Sequence, residues 1–136
     1  MIRPVVHDPI RLGVPSAPAT ALDLPAALDL RDTLNANRAH CVGMAANMIG
    51  VQRRIIVIEF CGEALLMLNP SILAKKGAFE TEEGCLSLPG QRKTTRYKEI
   101  TVRYQDTSFG WHTKTFSGFP AQIIQHEVDH CNGILI

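Results

Sequence analysis

The sequence predicts an α+β fold in which mostly antiparallel strands pack around a C-terminal helix. Three observations carry this. Strand-like apolar runs fill the middle of the chain between residues 54 and 117, helical periodicity appears only near each end, and the connections between runs are short. Short connections favour antiparallel neighbours, since a parallel crossover needs a dozen residues or more.

Residues 1–19 read as irregular, because Pro4, Pro9, Pro15 and Pro18 interrupt any regular element. Thr20-Ala21-Leu22-Asp23 has the form of a capping box with Asp in its last position. Ala27, Leu28, Leu30 and Leu34 then recur at helical spacing, to about residue 38. Residues 40–50 are crowded with small side chains, which fits a tightly packed turn or backbone lining a pocket. Residues 54–60 read as a buried strand and 64–70 as another, ended by Pro70. Strand-like segments follow near 71–80, 98–105 and 111–117. Gly118-Phe119-Pro120 marks a helix start, where the missing N–H of proline matters least, and Asn132-Gly133 marks its end.

A length of 136 residues with 46% hydrophobic and 20% charged residues describes one ordinary globular domain over 1–136. A net charge of +1 argues against stable nucleic-acid binding or an anionic membrane as the main partner. The first residues lack the long apolar run of a secretory signal, so a cytoplasmic location is expected. Reduced thiols are expected with it: Cys41, Cys61 and Cys131 read as small buried hydrophobes.

The most informative stretch is Gln125-His126-Glu127-Val128-Asp129-His130. Two histidines four residues apart share one helix face and can reach one divalent metal, while Glu127 can handle protons. Such a site activates water. A catalytic metal usually takes three protein ligands. Only six residues follow His130, and Cys131 points about 100° away on the helix. The third ligand is therefore expected upstream, with Cys85 the best candidate; Gly84 lets the backbone bend close beside it.

Three segments together resemble the peptide deformylases: Gly43-Met44-Ala45-Ala46-Asn47-Met48-Ile49-Gly50, Glu83-Gly84-Cys85-Leu86-Ser87, and Gln125 to His130. They stand in the family's order and spacing and cover nearly the whole chain. The resemblance implies a peptide-deformylase-like domain, with Cys85, His126 and His130 binding one metal. That metal is often Fe²⁺ in the cell, and Zn²⁺, Ni²⁺ or Co²⁺ can take the site.

The implied reaction is metal-dependent hydrolysis of the N-formyl group from N-formylmethionyl peptides and nascent chains, releasing formate. Glu127 takes the proton of the water and returns it to the leaving amine. The backbone N–H of Leu86 donates to the oxyanion. Matching positions make Gly43, Leu86 and Ile123 the walls of the methionine pocket. Glu83 is expected to orient a ligand histidine or to pair with Arg96. Two positions depart from the pattern: Met48 replaces a glutamine that donates to the oxyanion, and Cys41 replaces a glycine. They imply weakened or redirected activity, so the alternatives are an amidase acting on another N-acyl substrate, or a catalytically weak metal-binding homologue.

Overall fold

A computed structural model describes residues 1–136. Its elements are α1 (Pro9–Leu12), a 3-10 turn (Ala21–Asp23), α2 (Leu24–Ala36), β1 (Gly43–Ala45), a second 3-10 turn (Ala46–Ile49), β2 (Ile55–Phe60), β3 (Glu63–Gly84), β4 (Gln91–Gln105), β5 (Trp111–Ser117) and α3 (Phe119–Cys131). The strands form one antiparallel sheet in the order β1-β2-β3-β4-β5.

The N-terminal helix begins where expected. The Asp23 carboxylate accepts the Thr20 N–H at 2.8 Å, and Pro25 sits in the first turn of α2. Residues 1–19 are irregular except for α1. There Pro9 starts a helical turn instead of breaking one, and Asp8 Oδ1 accepts the Ile10 N–H at 3.0 Å. Proline also behaves differently from expectation at Pro70, because β3 runs straight through it. The register with β4 shifts between Leu68 and Ser71, and Asn69 adopts φ 50. Pairing with β2 has ended at Leu68, so no neighbour on that side needs the missing N–H.

β2 is buried on both faces. Ile55 and Val57 pack with Leu30 and Leu34 of α2, while Ile56 and Ile58 pack with Ile124 and Val128 of α3. The sheet thus separates two apolar layers, one under each long helix. Cys41 is half-buried and Cys131 buried, but Cys61 is exposed, in the tight turn joining β2 to β3. There it takes a positive φ of 52. The expectation that Cys61 is buried fails because the adjoining apolar strand ends one residue before it. All four cysteines are free.

Gly133 stops α3 with φ 75, and a Cβ there would lie 2.6 Å from the Gly13 carbonyl oxygen. The chain therefore closes on itself at this glycine, fixing where the end of α3 sits.

Leu30 is fully buried between α2 and the sheet. Leu30→Ala is expected to lower the urea unfolding free energy by about 2–5 kcal/mol.

Candidate active site

Helix α3 places His126 and His130 one turn apart with their rings 4.6 Å between centroids. Cys85 follows the last residue of β3, at the start of the loop to β4. The sheet register carries that loop over α3, so one ligating atom from each of Cys85, His126 and His130 lies within 4.8 Å of the others. A thiolate and two imidazoles are a donor set suited to Zn²⁺, Fe²⁺, Ni²⁺ or Co²⁺. His130 Nδ1 lies 3.0 Å from Glu127 Oε1, yet the alignment leaves both buried atoms without a hydrogen-bond partner. Buried polar atoms of this kind are costly unless a bound group satisfies them. The residues present therefore fit a divalent ion and its water.

The histidine orientation has a visible cause. His126 Nδ1 is 2.8 Å from Glu83 Oε1, so Nδ1 carries the proton and Nε2 is left free to ligate. Glu83 is held in turn by Arg96, which donates from Nη2 at 2.7 Å and from Nε at 3.0 Å, and by Gln122 Nε2 at 2.8 Å. Arg96 also donates from Nη1 to Asp129 at 2.6 Å. Both expectations for Glu83, a histidine contact and an Arg96 pair, thus coexist on one carboxylate.

Electrostatics follow the contacts. Burial opposes charge on Glu83, but the hydrogen bonds from His126, Arg96 and Gln122 outweigh it and hold the carboxyl down at about 2. Burial likewise opposes the Cys85 thiolate, yet the adjacent His126 and His130 bring it down to about 6. Against the same burial penalty, Cys85 and Glu83 raise His126 to about 9, and Glu127 with Cys85 raises His130 to about 10. The cluster favours the thiolate that ligates a metal, and the imidazoles release protons when an ion binds. Cys41 lies in the same cleft with the opposite tendency. Burial and then Glu127 push it up to about 12, and its S–H donates to the Gly43 carbonyl at 2.9 Å.

A cleft of about 250 Å³ opens over these groups. Gly43, Leu86 and Ile123 line it together with Glu127, Cys85 and His126. The Leu86 N–H donates to no other group of the chain. A Cβ at Gly43 would lie 2.6 Å from Ile123 Cγ2 and 3.0 Å from Glu127 Oε2, so glycine is needed for the Glu127 carboxylate to fit.

A family model described as Polypeptide deformylase matches residues 6–136. The chain belongs to the polypeptide deformylase family. The Peptide deformylase of Clostridium beijerinckii is 53% identical over 136 residues, the full length of both chains. That of Chlorobium luteolum is 41% identical over 102 residues, covering 69% of this chain and 54% of its own. The match thus spans about half the length of this second relative. Among solved structures, the Met-Ala-Ser-bound class I type b peptide deformylase of Acinetobacter baumannii is 31% identical. It superposes with a TM-score of 0.88, covering 99% of this chain and 97% of that one. The α+β sheet and its C-terminal helix are thus the deformylase fold, and the chain is a hydrolase of this family.

Three cleft features of this deformylase were not anticipated. Phe119 and Gln122 line the cleft, at helical spacing before Ile123 and His126. Their shared α3 face was the signal available in the sequence. His40 joins them from the approach to β1, and no periodicity marked it. Met48 is absent from the cleft: it is fully buried under α2, and its sulfur accepts the Ala45 N–H at 3.4 Å.

The folded Glu83 carboxyl titrates well below its ordinary value near 4.5. Its charge therefore stabilises the fold above about pH 4.5, and this contribution is lost as the pH falls towards about 2. Thermal melts of Glu83→Gln are expected to show a lower Tm at pH 7 and a flatter decline between pH 5 and 2 than the parent.

Proposed function

We propose that this chain removes the N-formyl group from N-formylmethionyl peptides of nascent proteins, releasing formate and a free amino terminus. The single observation that carries the reading is the cluster of Cys85, His126 and His130 at a cleft that Glu127 and Leu86, with its free N–H, also line. The ion held by the three ligands is proposed to be Fe²⁺ in the cell, with Zn²⁺, Ni²⁺ or Co²⁺ able to substitute. When bound it supplies Lewis acidity to the attacking water and the formyl oxygen.

The chain's own groups account for the remaining steps. Glu127, whose carboxylate borders the cleft beside Gly43, accepts a proton from the attacking water. As the new C–O bond forms at the formyl carbon, the Leu86 N–H donates to the developing oxyanion. Glu127 then passes the proton to the leaving nitrogen, and the C–N bond breaks to give formate and amine. The methionine side chain is taken up beside Gly43, Leu86 and Ile123. β1 is the free edge of the sheet. The Glu59 N–H donates to Val42 O, so strand alternation turns the Gly43 N–H away from β2 and towards an added extended peptide, while the Gly43 C=O accepts the Cys41 S–H. No helix is long and apolar enough to cross a membrane. We place the activity in the cytoplasm, where nascent chains present their amino termini.

Met48 supports one second reading, an amidase for another N-acyl group, because its buried side chain offers the oxyanion no donor. Cobalt-loaded protein given formyl-Met-Ala-Ser and other N-acyl peptides separates the two. Formate release is expected to exceed that of Glu127→Ala by about 10²–10⁴-fold. No release above this control would sink the deformylase reading. Gly43→Ala, which crowds Glu127, is expected to lose about 10²-fold in kcat by the same assay. Met48→Gln is expected to leave kcat unchanged and to lower the Tm, because the position is packed under α2, away from the cleft, where an amide is buried without a partner. A raised kcat would show that the glutamine side chain reaches the cleft and donates there.

A further inference from the structure

Gln122 stands at a junction that the reaction above does not use. Its side chain lines the cleft beside Phe119 and Ile123. Its Nε2 also donates to Glu83 Oε2 at 2.8 Å, while Glu83 Oε1 takes the Nδ1 proton of His126 at 2.8 Å. One carboxylate therefore joins a wall of the substrate pocket to a metal-ligand histidine. Arg96 holds the same carboxylate through Nε and Nη2, so without the opposing Gln122 donor the carboxylate is drawn towards Arg96 and its hold on His126 changes. A half-buried polar side chain in a pocket wall weakens an apolar pocket unless it serves another end, and its amide bond to Glu83 is that end.

We infer that Gln122 is a positioning residue that couples the substrate side-chain pocket to the metal centre through Glu83 and His126. The inference rests on the deformylase reading of the cleft for the identity of the pocket's occupant, but not for the link to the metal. A substrate side chain that presses on Gln122 moves the donor to Glu83, and with it the orientation of His126. Gln122→Met keeps length and bulk but removes the donor. Gln122→Arg keeps an N–H donor for Glu83 and changes the wall.

The test is Co²⁺ affinity, followed by visible absorption, together with steady-state kinetics on formyl-Met-Ala-Ser. Thermal melts confirm that both variants fold. Gln122→Met is expected to bind Co²⁺ about tenfold more weakly, at the low end for an outer-sphere partner. Its KM is expected to shift by about threefold or more, as for a small change in a side-chain pocket. Gln122→Arg is expected to keep the parental Co²⁺ affinity. Parental Co²⁺ affinity in Gln122→Met overturns the coupling, as does an unshifted KM or equal weakening in both variants. Cobalt binding needs no substrate. A parent protein that binds Co²⁺ but releases no formate would therefore count against the deformylase reading and leave the Gln122 link to be judged on affinity alone.

Discussion

The carboxylate of Glu83 is the point at which the separate parts of this molecule meet. It sits at the end of β3, yet it takes hydrogen bonds from Arg96 on β4 and from Gln122 and His126 on α3. Three elements distant in sequence are thereby held in one relative position. The loop that carries Cys85 begins two residues later, so the same ion-pair network that docks the sheet on the helix also sets Cys85 against the two histidines. If the network loosened, both the metal geometry and the sheet–helix contact would change together.

Charge explains why so many polar groups are tolerated in the interior. Arg96 lies between Glu83 and Asp129, and its guanidinium serves both carboxylates with directed hydrogen bonds. Buried ion pairs seldom add stability for their own sake. Here the pairing fixes the orientation of His126, which is a sufficient reason to retain it. Cys85 and Glu127 add two further negative groups a short distance away, and Arg96 is already engaged elsewhere. The two cleft cysteines illustrate the same logic. Cys85, beside two imidazoles, is driven towards thiolate, whereas Cys41 is kept as a thiol, by burial first and then by Glu127.

Much of the fold was legible because local signals agreed with one another. β5 occupies the strand-like segment expected over 111–117, and α3 runs between the proline-bearing start and the glycine stop. The failures have identifiable causes. β3 continues through Pro70 because a bulge and the end of β2 pairing remove the demand for its N–H. β4 begins at Gln91, well before its apolar stretch, because a long partner strand supplies backbone hydrogen bonds regardless of side-chain pattern. β1 is too short to show any period. Met48 follows the motif's spacing but is turned into the core under α2, an outcome set by packing rather than by position along the chain. The pocket residues divide in the same way: Ile123 was readable from the motif, while Phe119 and Gln122 needed the α3 face to be seen against the cleft.

The sequence by itself determined the chemistry available. The H-E-x-x-H helix, the cysteine in its glycine-flanked loop and their order along the chain identify the donor types, and helical geometry alone puts two of the ligands on one face. Only the tertiary structure decided how those donors are arranged and what restrains them. The distance from Cys85 to α3, the sharing of Glu83 among Arg96, Gln122 and His126, and the burial of Met48 arise from sheet register and helix docking. Those depend on contacts between residues dozens of positions apart, and local periodicity carries no information about such contacts.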